Sequence, residues 1–352
     1  MRVLHVTEAF GGGVQSAIVN YMDGLPEIEH SVFSRARAGQ QTSDWAGAVA
    51  HENYEGGLPG FYLRLRGKVR DERPDIVHLH SSFAGAARAV LRGEPAVVYS
   101  PHCYAMERRD VAAPLRWGFG MVERALARRE DLTMAVSPRE AEIGRRLSPR
   151  TPVSIVLNPS PWEEAGSRPV AEPRSHRREI VTVGRVSPQK APQLFAAVAR
   201  ALAPTGIEFV WVGDGDPDGV EALRTAGIDV TGWMPPSAVR DRLAGAALYL
   251  HTAAWEGGPV STVEAASLGV PVLARGIPSM VSLGYSDAGE TTEQVSASVI
   301  RFFAEPGYAE AVAAASAGVA AASTLSGMRE GVRAAYASAL ARASTRRRPS
   351  AR

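Results

Sequence analysis

Trp255-Glu256-Gly257-Gly258-Pro259-Val260-Ser261-Thr262-Val263-Glu264-Ala265-Ala266-Ser267-Leu268-Gly269-Val270-Pro271-Val272-Leu273-Ala274-Arg275-Gly276 follows a strand-like run at 247–253 and carries two carboxylates, Glu256 and Glu264, eight positions apart. Pro259 suits the first turn of a helix, where its missing N–H would be unpaired in any case. Residues 260–268 then read as a short helix, Gly269 as its stop and 270–274 as the next strand. The succession of strand, glycine loop, helix and strand is an anion-binding layout. Gly257 and Gly258 allow close approach of the backbone to a ligand, and the free N–H groups opening the helix, near Gly258 and Val260, favour phosphate. On this reading Glu256 borders the phosphate site. Glu264, over a turn into the helix, can accept hydrogen bonds from the vicinal hydroxyls of a ribose. An ordinary βα turn with solvated acidic residues has the same pattern, so the stretch alone leaves both readings open.

A second turn of this kind lies upstream. Gly184-Arg185-Val186-Ser187-Pro188-Gln189-Lys190 joins the apolar run 180–183 to an amphipathic segment at 192–202, so Arg185 and Lys190 bracket a strand-to-helix turn. Only two of the 39 basic residues are lysines, Lys68 and Lys190. In so arginine-rich a chain, a lysine at this turn suggests a place for a compact ammonium charge, as on a phosphate.

The G-R-x-x-x-x-K turn and the paired glutamates, with V-G-D-G-D at 212–216 between them, together resemble the retaining, nucleotide-sugar-dependent glycosyltransferases of family four. The resemblance implies an α/β chain of GT-B fold, with two Rossmann-like doubly wound parallel-sheet domains facing across a cleft. It also implies a nucleotide-sugar donor, UDP-linked ahead of GDP-linked, with no metal and no further cofactor. Arg185, Lys190, Glu256 and His102 are then the catalytic candidates. Gly12, Gly13, Gly184, Trp233, Met234, Gly257, Gly258, Val260 and Glu264 are the candidates for holding the donor. In the family the glycine loop matching Gly12 and Gly13 lies beneath the donor diphosphate, and the loop matching 231–235 holds the base. His102, within Pro101-His102-Cys103-Tyr104, is similar to a turn that sets an imidazole against the donor sugar, to bond a hydroxyl or the developing charge. Two departures stand out: Pro159 follows Asn158 where the family has glycine, and Gly258 lacks the bulky side chain usual in the glutamate loop.

Around these motifs the chain alternates apolar runs and helical stretches. Strands are expected at 3–6, 30–33, 76–80, 96–100, 132–136 and 153–157, and again at 180–184, 209–212, 229–231, 247–253 and 271–274. The expected division is a first, acceptor domain at 1–160, a linker rich in proline and charge at 161–178 and a donor domain at 179–325. A last helix at 326–342 would cross back to the first domain, with a disordered basic tail at 343–352. His78 and His80 share one face of a strand, but the spacing supplies no third ligand, so no metal site is expected.

Composition bounds the rest. Of the 352 residues, 45% are hydrophobic and 22% charged, as in a soluble globular protein, and a net charge of +2 gives no reason to invoke nucleic acid. One cysteine, Cys103, excludes an intrachain disulfide and fits a reducing compartment. No signal peptide is evident and no apolar run nears the ~20 residues of a membrane span, so the expected location is cytoplasmic, with peripheral contact at the inner face of the membrane as a further possibility. Arginines at 108, 109, 116, 124, 128 and 129 flank the apolar run Leu115–Met121. That segment reads either as a basic membrane-facing surface or as a solvated helix whose Trp117 and Phe119 pack inward. The expected activity is sugar transfer to an acceptor glycan, glycolipid or small molecule, in cell-surface polysaccharide or specialised-metabolite biosynthesis. A catalytically silent nucleotide-sugar-binding partner subunit and a GT-B epimerase or phosphorylase are the alternatives.

Overall fold

Strands apolar on both faces need helices above and below them, and the chain supplies the two in alternation. The computed structural model describes residues 1–35, 50–91, 95–160, 162 and 178–347. They form two units: Met1–Glu107, Ala112–Leu157 and the chain from Ser326 onward make the first, and Arg108–Val111 with Asn158–Leu325 the second.

The first unit runs β1 (Arg2–Thr7), α1 (Gly12–Gly24), β2 (Glu29–Arg35), β3 (Ala50–Tyr54), α2 (Leu58–Glu72), β4 (Ile76–His80), α3 (Ser81–Gly85), β5 (Ala96–Ser100), α4 (Ala113–Leu126), β6 (Leu132–Ala135), α5 (Pro138–Leu147) and β7 (Val153–Ile155). Its strands make one wholly parallel sheet in the order β3-β2-β1-β4-β5-β6-β7. The second unit runs β8 (Glu179–Val183), α6 (Pro192–Leu202), β9 (Glu208–Val212), α7 (Pro217–Thr225), β10 (Asp229–Val230), α8 (Pro236–Ala244), β11 (Leu248–His251), α9 (Val260–Ser267), β12 (Val272–Ala274), α10 (Pro278–Leu283), β13 (Ser286–Asp287), α11 (Thr292–Ala304) and α12 (Pro306–Ala322). Its sheet, also parallel, has the order β10-β9-β8-β11-β12-β13. Strand order therefore reverses between β1 and β4 in one unit and between β8 and β11 in the other. Such reversals are where open α/β sheets bind ligands, beyond the carboxyl ends of the strands.

Alternation along each strand fills both faces of the sheet. Ile180 joins Phe195, Trp211 and Leu223 on one side of the second sheet. Its neighbour Val181 joins Val210, Tyr249 and Val272 on the other. In the first unit Leu4, Phe33, Phe61, Leu79 and Tyr99 form the main cluster.

Two strands escape the sequence pattern. Ala50-His51-Glu52-Asn53-Tyr54 is a polar edge strand without apolar alternation, and Ser286-Asp287 is too short to show any. The last helix, α13 (Leu325–Arg347), continues past the expected stop at 342. Ala343 is only 1% exposed and Arg346 pairs with Asp131 at 3.3 Å, so packing against the first unit carries the helix onward. Residues 348–352 and nearly all of the expected linker lie outside the described residues. α4 leaves Trp117 71% exposed, which corrects the reading that packed this ring inward; Phe119 is half-buried.

One buried charge cluster anchors α4. Arg88, 1% exposed, donates to Glu123 at 2.6 Å and pairs with Glu130, while its guanidinium lies 3.8 Å from the centroid of the Tyr99 ring. Burial pushes the Glu130 carboxyl up to about 7 despite the opposing Arg88 charge. Arg88→Leu leaves two carboxylates buried without their cation and is expected to cost about 3–5 kcal/mol. Arg70→Ala, at a solvent-exposed pair with Asp71, should cost no more than about 0.5 kcal/mol. Thermal melts of the two variants check this, and equal melting temperatures would contradict it.

Candidate functional site

At the carboxyl end of β8 the chain passes Gly184 and is laced to the turn after β9. Gly184 N donates to Val212 O, Val186 N to Asp214 O and Asp216 N to Val186 O, each at 2.9 Å, and Trp211 Nε1 donates to Gly184 O at 2.8 Å. A Cβ on Gly213, whose φ is +139°, would stand 2.2 Å from Gly184 O, so glycine is required for the two turns to meet. A single 3-10 turn then carries Gln189 and Lys190 toward the loop after β11. There Ala254 N donates to Gln189 O at 2.8 Å and Thr252 Oγ1 to Lys190 O at 3.1 Å.

The side chains complete the join. Lys190 Nζ lies 2.7 Å from Glu256 Oε1, and Gln189 Nε2 donates to Glu256 Oε2 at 3.3 Å and to Trp255 O at 3.2 Å. The Tyr249 hydroxyl accepts from Val183 N at 3.2 Å and bonds Ser261 Oγ at 2.9 Å, bracing the first turn of α9 against the end of β8. Asn158 Nδ2 donates to Gly258 O at 2.7 Å and fixes the glycine loop from behind. No side chain caps the start of α9.

Burial acts differently on each titratable group. For Lys190 burial opposes the charge, but the Glu256 carboxylate and then Tyr249 outweigh it, and the ammonium is held above its ordinary range. His251 is pushed well below its ordinary value by burial and then by the Lys190 charge. It is a neutral ring whose Nε2, 3.7 Å from Glu256 Oε1, has no hydrogen-bond partner among the described residues. Glu264 has no opposing cation among the described residues, and burial alone raises its carboxyl to about 7. Arg185 is exposed and pairs with no carboxylate among the described residues.

Thus Gly184, Arg185, Lys190, Glu256, Gly257, Gly258, Val260 and Glu264 gather on the loops and helix that follow β8 and β11. Trp233 is 53% exposed on the loop after β10, whereas Met234 packs against the cluster containing Val210 and Tyr249. Gly12, Gly13 and His102 belong to the first unit. Gly12 has φ +57°, and a Cβ on either glycine would meet nothing within 4 Å, so at Gly13 neither the backbone nor packing demands glycine. His102 and Cys103, at φ +45° and +82°, form a strained turn after β5. The turn is held by a bond from Cys103 N to Glu140, whose other oxygen accepts from Val136 N at 3.0 Å.

His5 stands opposite His78 in the sheet, so register supplies the third imidazole that sequence spacing lacks. His5, His78 and His80 offer ring nitrogens within 4.8 Å of one another. All six nitrogens are already engaged, with His30, His80, Ser100, Tyr336, His102 and His5 as partners. The cluster is therefore a hydrogen-bonded set in this structure. Gln189, Asn158, Tyr249 and His251 were not singled out from the sequence for the site. The only signal was the polar alternation Tyr249, His251 in an otherwise apolar strand.

The second unit matches a family model described as glycosyl transferases group 1 over residues 177–316, and the first matches a glycosyl transferase 4-like domain over residues 12–159. The chain belongs to the family-four-like glycosyltransferases of GT-B fold. It is 22% identical to an uncharacterized 41.2 kDa protein in the cps region of Klebsiella pneumoniae, over 87% of this chain and 92% of that one. It is also 25% identical to an Escherichia coli UDP-Gal:alpha-D-GlcNAc-diphosphoundecaprenol alpha-1,3-galactosyltransferase, over 59% of each chain. Among solved structures, Anabaena HepE in complex with UDP and glucose shares the fold, with a TM-score of 0.74, 16% identity and coverage of 96% of this chain and 100% of that one.

In this glycosyltransferase the Asn158 clamp has a direct physical consequence. Asn158→Ala removes the bond to Gly258 O, worth about 1 kcal/mol. Amide hydrogen exchange at 257–261 is therefore expected to quicken about fivefold with the strands unaffected. Unchanged exchange, read by mass spectrometry of the peptide, would mean the loop is held by other contacts.

Proposed function

We propose that the protein transfers a sugar, with retained anomeric configuration, from a nucleotide-sugar, UDP-linked ahead of GDP-linked, to a lipid-linked acceptor of cell-surface polysaccharide assembly. The observation carrying the donor reading is the presence, on the loops and helix at one switch point, of both an exposed, uncommitted Arg185 and a desolvated, uncommitted Glu264 carboxyl. A cation suits the diphosphate and the carboxylate suits a ribose hydroxyl pair. UDP in the complex of a structural relative supports the choice of nucleotide. The acceptor class rests on the cps-region relative and on the diphosphoundecaprenol acceptor in the other relative's name.

In the reaction proposed, the bond from C1 to the phosphate oxygen breaks while C1 bonds the acceptor oxygen on the same face. The departing phosphate oxygen takes the acceptor's proton, so nucleoside diphosphate and glycoside are the products. Arg185, the Lys190 ammonium and the N–H groups opening α9 stabilise the charge left on the diphosphate. Glu256 is an unsuitable covalent nucleophile, because Lys190 and Gln189 already hold its oxygens. Its part is to position Lys190, whose ammonium has three donors and can hold Glu256 and a phosphate oxygen together. Transfer in this scheme requires no metal.

The test is transfer from a panel of nucleotide-sugars in the presence of EDTA, together with nucleotide affinity against pH. Turnover should survive the chelator, and Arg185→Ala should weaken UDP binding about ten- to hundredfold, the loss of one charge-assisted contact. Because the free Glu264 carboxyl titrates at about 7 and its ionised form takes the hydroxyls, affinity should rise as pH increases through about 7 and level off above. Glu264→Gln should lose both affinity and that slope. An identical pH dependence in the variant would remove Glu264 from the site. UDP binding with no transfer to any acceptor would favour a silent partner subunit.

For the membrane, the supporting observation is α4, which exposes Leu115, Trp117, Met121 and Val122 beside Arg124 and Arg128. No single helix among the described residues is long and apolar enough to cross a bilayer. Basic residues near an anionic surface contribute about 1 kcal/mol each. Sedimentation with anionic but not neutral liposomes is expected, abolished by high salt and by Trp117→Ala with Arg124→Glu. Absence of binding at low salt would point to a soluble acceptor.

A further inference from the structure

Four adjacent strands of the first sheet, in the order β2-β1-β4-β5, each bring one imidazole to a single hydrogen-bonded chain. His30 Nε2 lies 3.1 Å from Leu25 O, and His30 Nδ1 lies 3.0 Å from His5 Nε2. His5 Nδ1 lies 3.1 Å from His80 Nε2, and His80 Nδ1 lies 3.0 Å from His102 Nε2 on the turn after β5. The rings of His5, His30 and His80 are buried. Burial holds all four imidazoles below their ordinary value, with His102 at about 4, so each ring is neutral and carries one N–H.

That single proton per ring removes the freedom of the chain. A carbonyl oxygen can only accept, so His30 Nε2 must donate to Leu25, which leaves His30 Nδ1 bare. His5 Nε2 must then donate to His30, His80 Nε2 to His5 and His102 Nε2 to His80. The reverse polarity would set a lone pair against the Leu25 oxygen. At the far end His102 Nδ1 is left bare and has no hydrogen-bond partner among the described residues. His78 does not interrupt the chain, because its own nitrogens bond Tyr336 and Ser100, both at 2.9 Å.

We propose that this imidazole chain is a tautomeric lock: the Leu25 carbonyl fixes His102 as its Nε2–H form, so that Nδ1 is left as an acceptor only, able to pair with a hydroxyl but not with a phosphate oxygen. The lock stands on the hydrogen-bond geometry together with a single proton on each ring. His30, His5 and His80 are positioning residues that act on His102.

The experiment uses the full chain labelled with 15N-histidine, with His102 assigned by comparison with His102→Gln. At neutral pH the free protein should show His102 with a protonated Nε2 and a bare Nδ1. His30→Leu breaks the anchor and should shift His102 toward a mixture of tautomers. His30→Gln should restore the wild-type signals, since its amide can donate to Leu25 and accept from His5. A protonated Nδ1 or a charged His102 in the wild type would overturn the lock, even if His30→Leu does not fold. Identical His102 signals in the two His30 variants would overturn it as well.

Discussion

Parallel hydrogen bonding is the constraint on which the rest depends. When every strand of a sheet points the same way, every loop that leaves a carboxyl end emerges along one edge. Two such loops can be neighbours without a helix between them only where strand order reverses. In the second unit that place is β8 beside β11, and it receives the turn from Gly184 to Lys190 and the loop from Thr252 to Val260. The 66 residues separating Lys190 from Glu256 are thus closed by topology, and the 2.7 Å ion pair is a consequence of it. Tyr249 then serves both sides at once, its hydroxyl touching the end of β8 and the start of α9.

Desolvation decides what each polar group at these edges can do. Where a counter-charge is within reach, as at Lys190 with Glu256, the pairing outweighs the cost of burial and keeps the ammonium ionised. Where none is present, burial favours the neutral form, which is why Glu264 sits at about 7, and at His251 the Lys190 charge adds to burial and leaves an uncharged ring. In the first unit the same force makes a chain of neutral imidazoles possible: one extra proton on His30, His5 or His80 would place two donors face to face. Polar groups in low dielectric thus acquire a fixed direction that they lack in water.

The motifs were legible in the sequence because local order carries them. Gly184 to Lys190 and Glu256 to Glu264 each lie within one strand-turn-helix unit, and glycine, proline and charge mark the turns without knowledge of the partner strand. What the sequence withheld is everything that depends on which strand lies beside which. His78 and His80 are visibly on one face, yet His5 and His30 become their neighbours only through the β1–β4 and β1–β2 pairings. Asn158 reaches Gly258 across 100 positions and leaves no periodic trace. The edge strand Ala50–Tyr54 failed for another reason: with little apolar surface to bury, it has no alternation to read. Trp117 shows the limit from the opposite side, since an aromatic ring in a helix predicts packing by habit, and the structure leaves it in solvent.

The arrangement around Lys190 also suggests why the two cations at this turn are different residues. A guanidinium is planar, weakly hydrated and suited to a forked contact, so it can remain at the surface uncommitted, as Arg185 does. An ammonium on a flexible stem, half-buried among Glu256, Gln189 and Tyr249, has three donors in tetrahedral array, one of which is committed to Glu256. Arginine in that place would set a rigid fork against Glu256 and satisfy the carboxylate with both arms, leaving less to offer a third group. A lysine keeps the pair intact while pointing donors elsewhere. In a chain where only two of the 39 basic residues are lysines, that distinction gives Lys190 a physical reason beyond its charge. The other, Lys68, repeats the logic, bridging Glu52 at 3.0 Å and Glu72 at 2.6 Å with one ammonium.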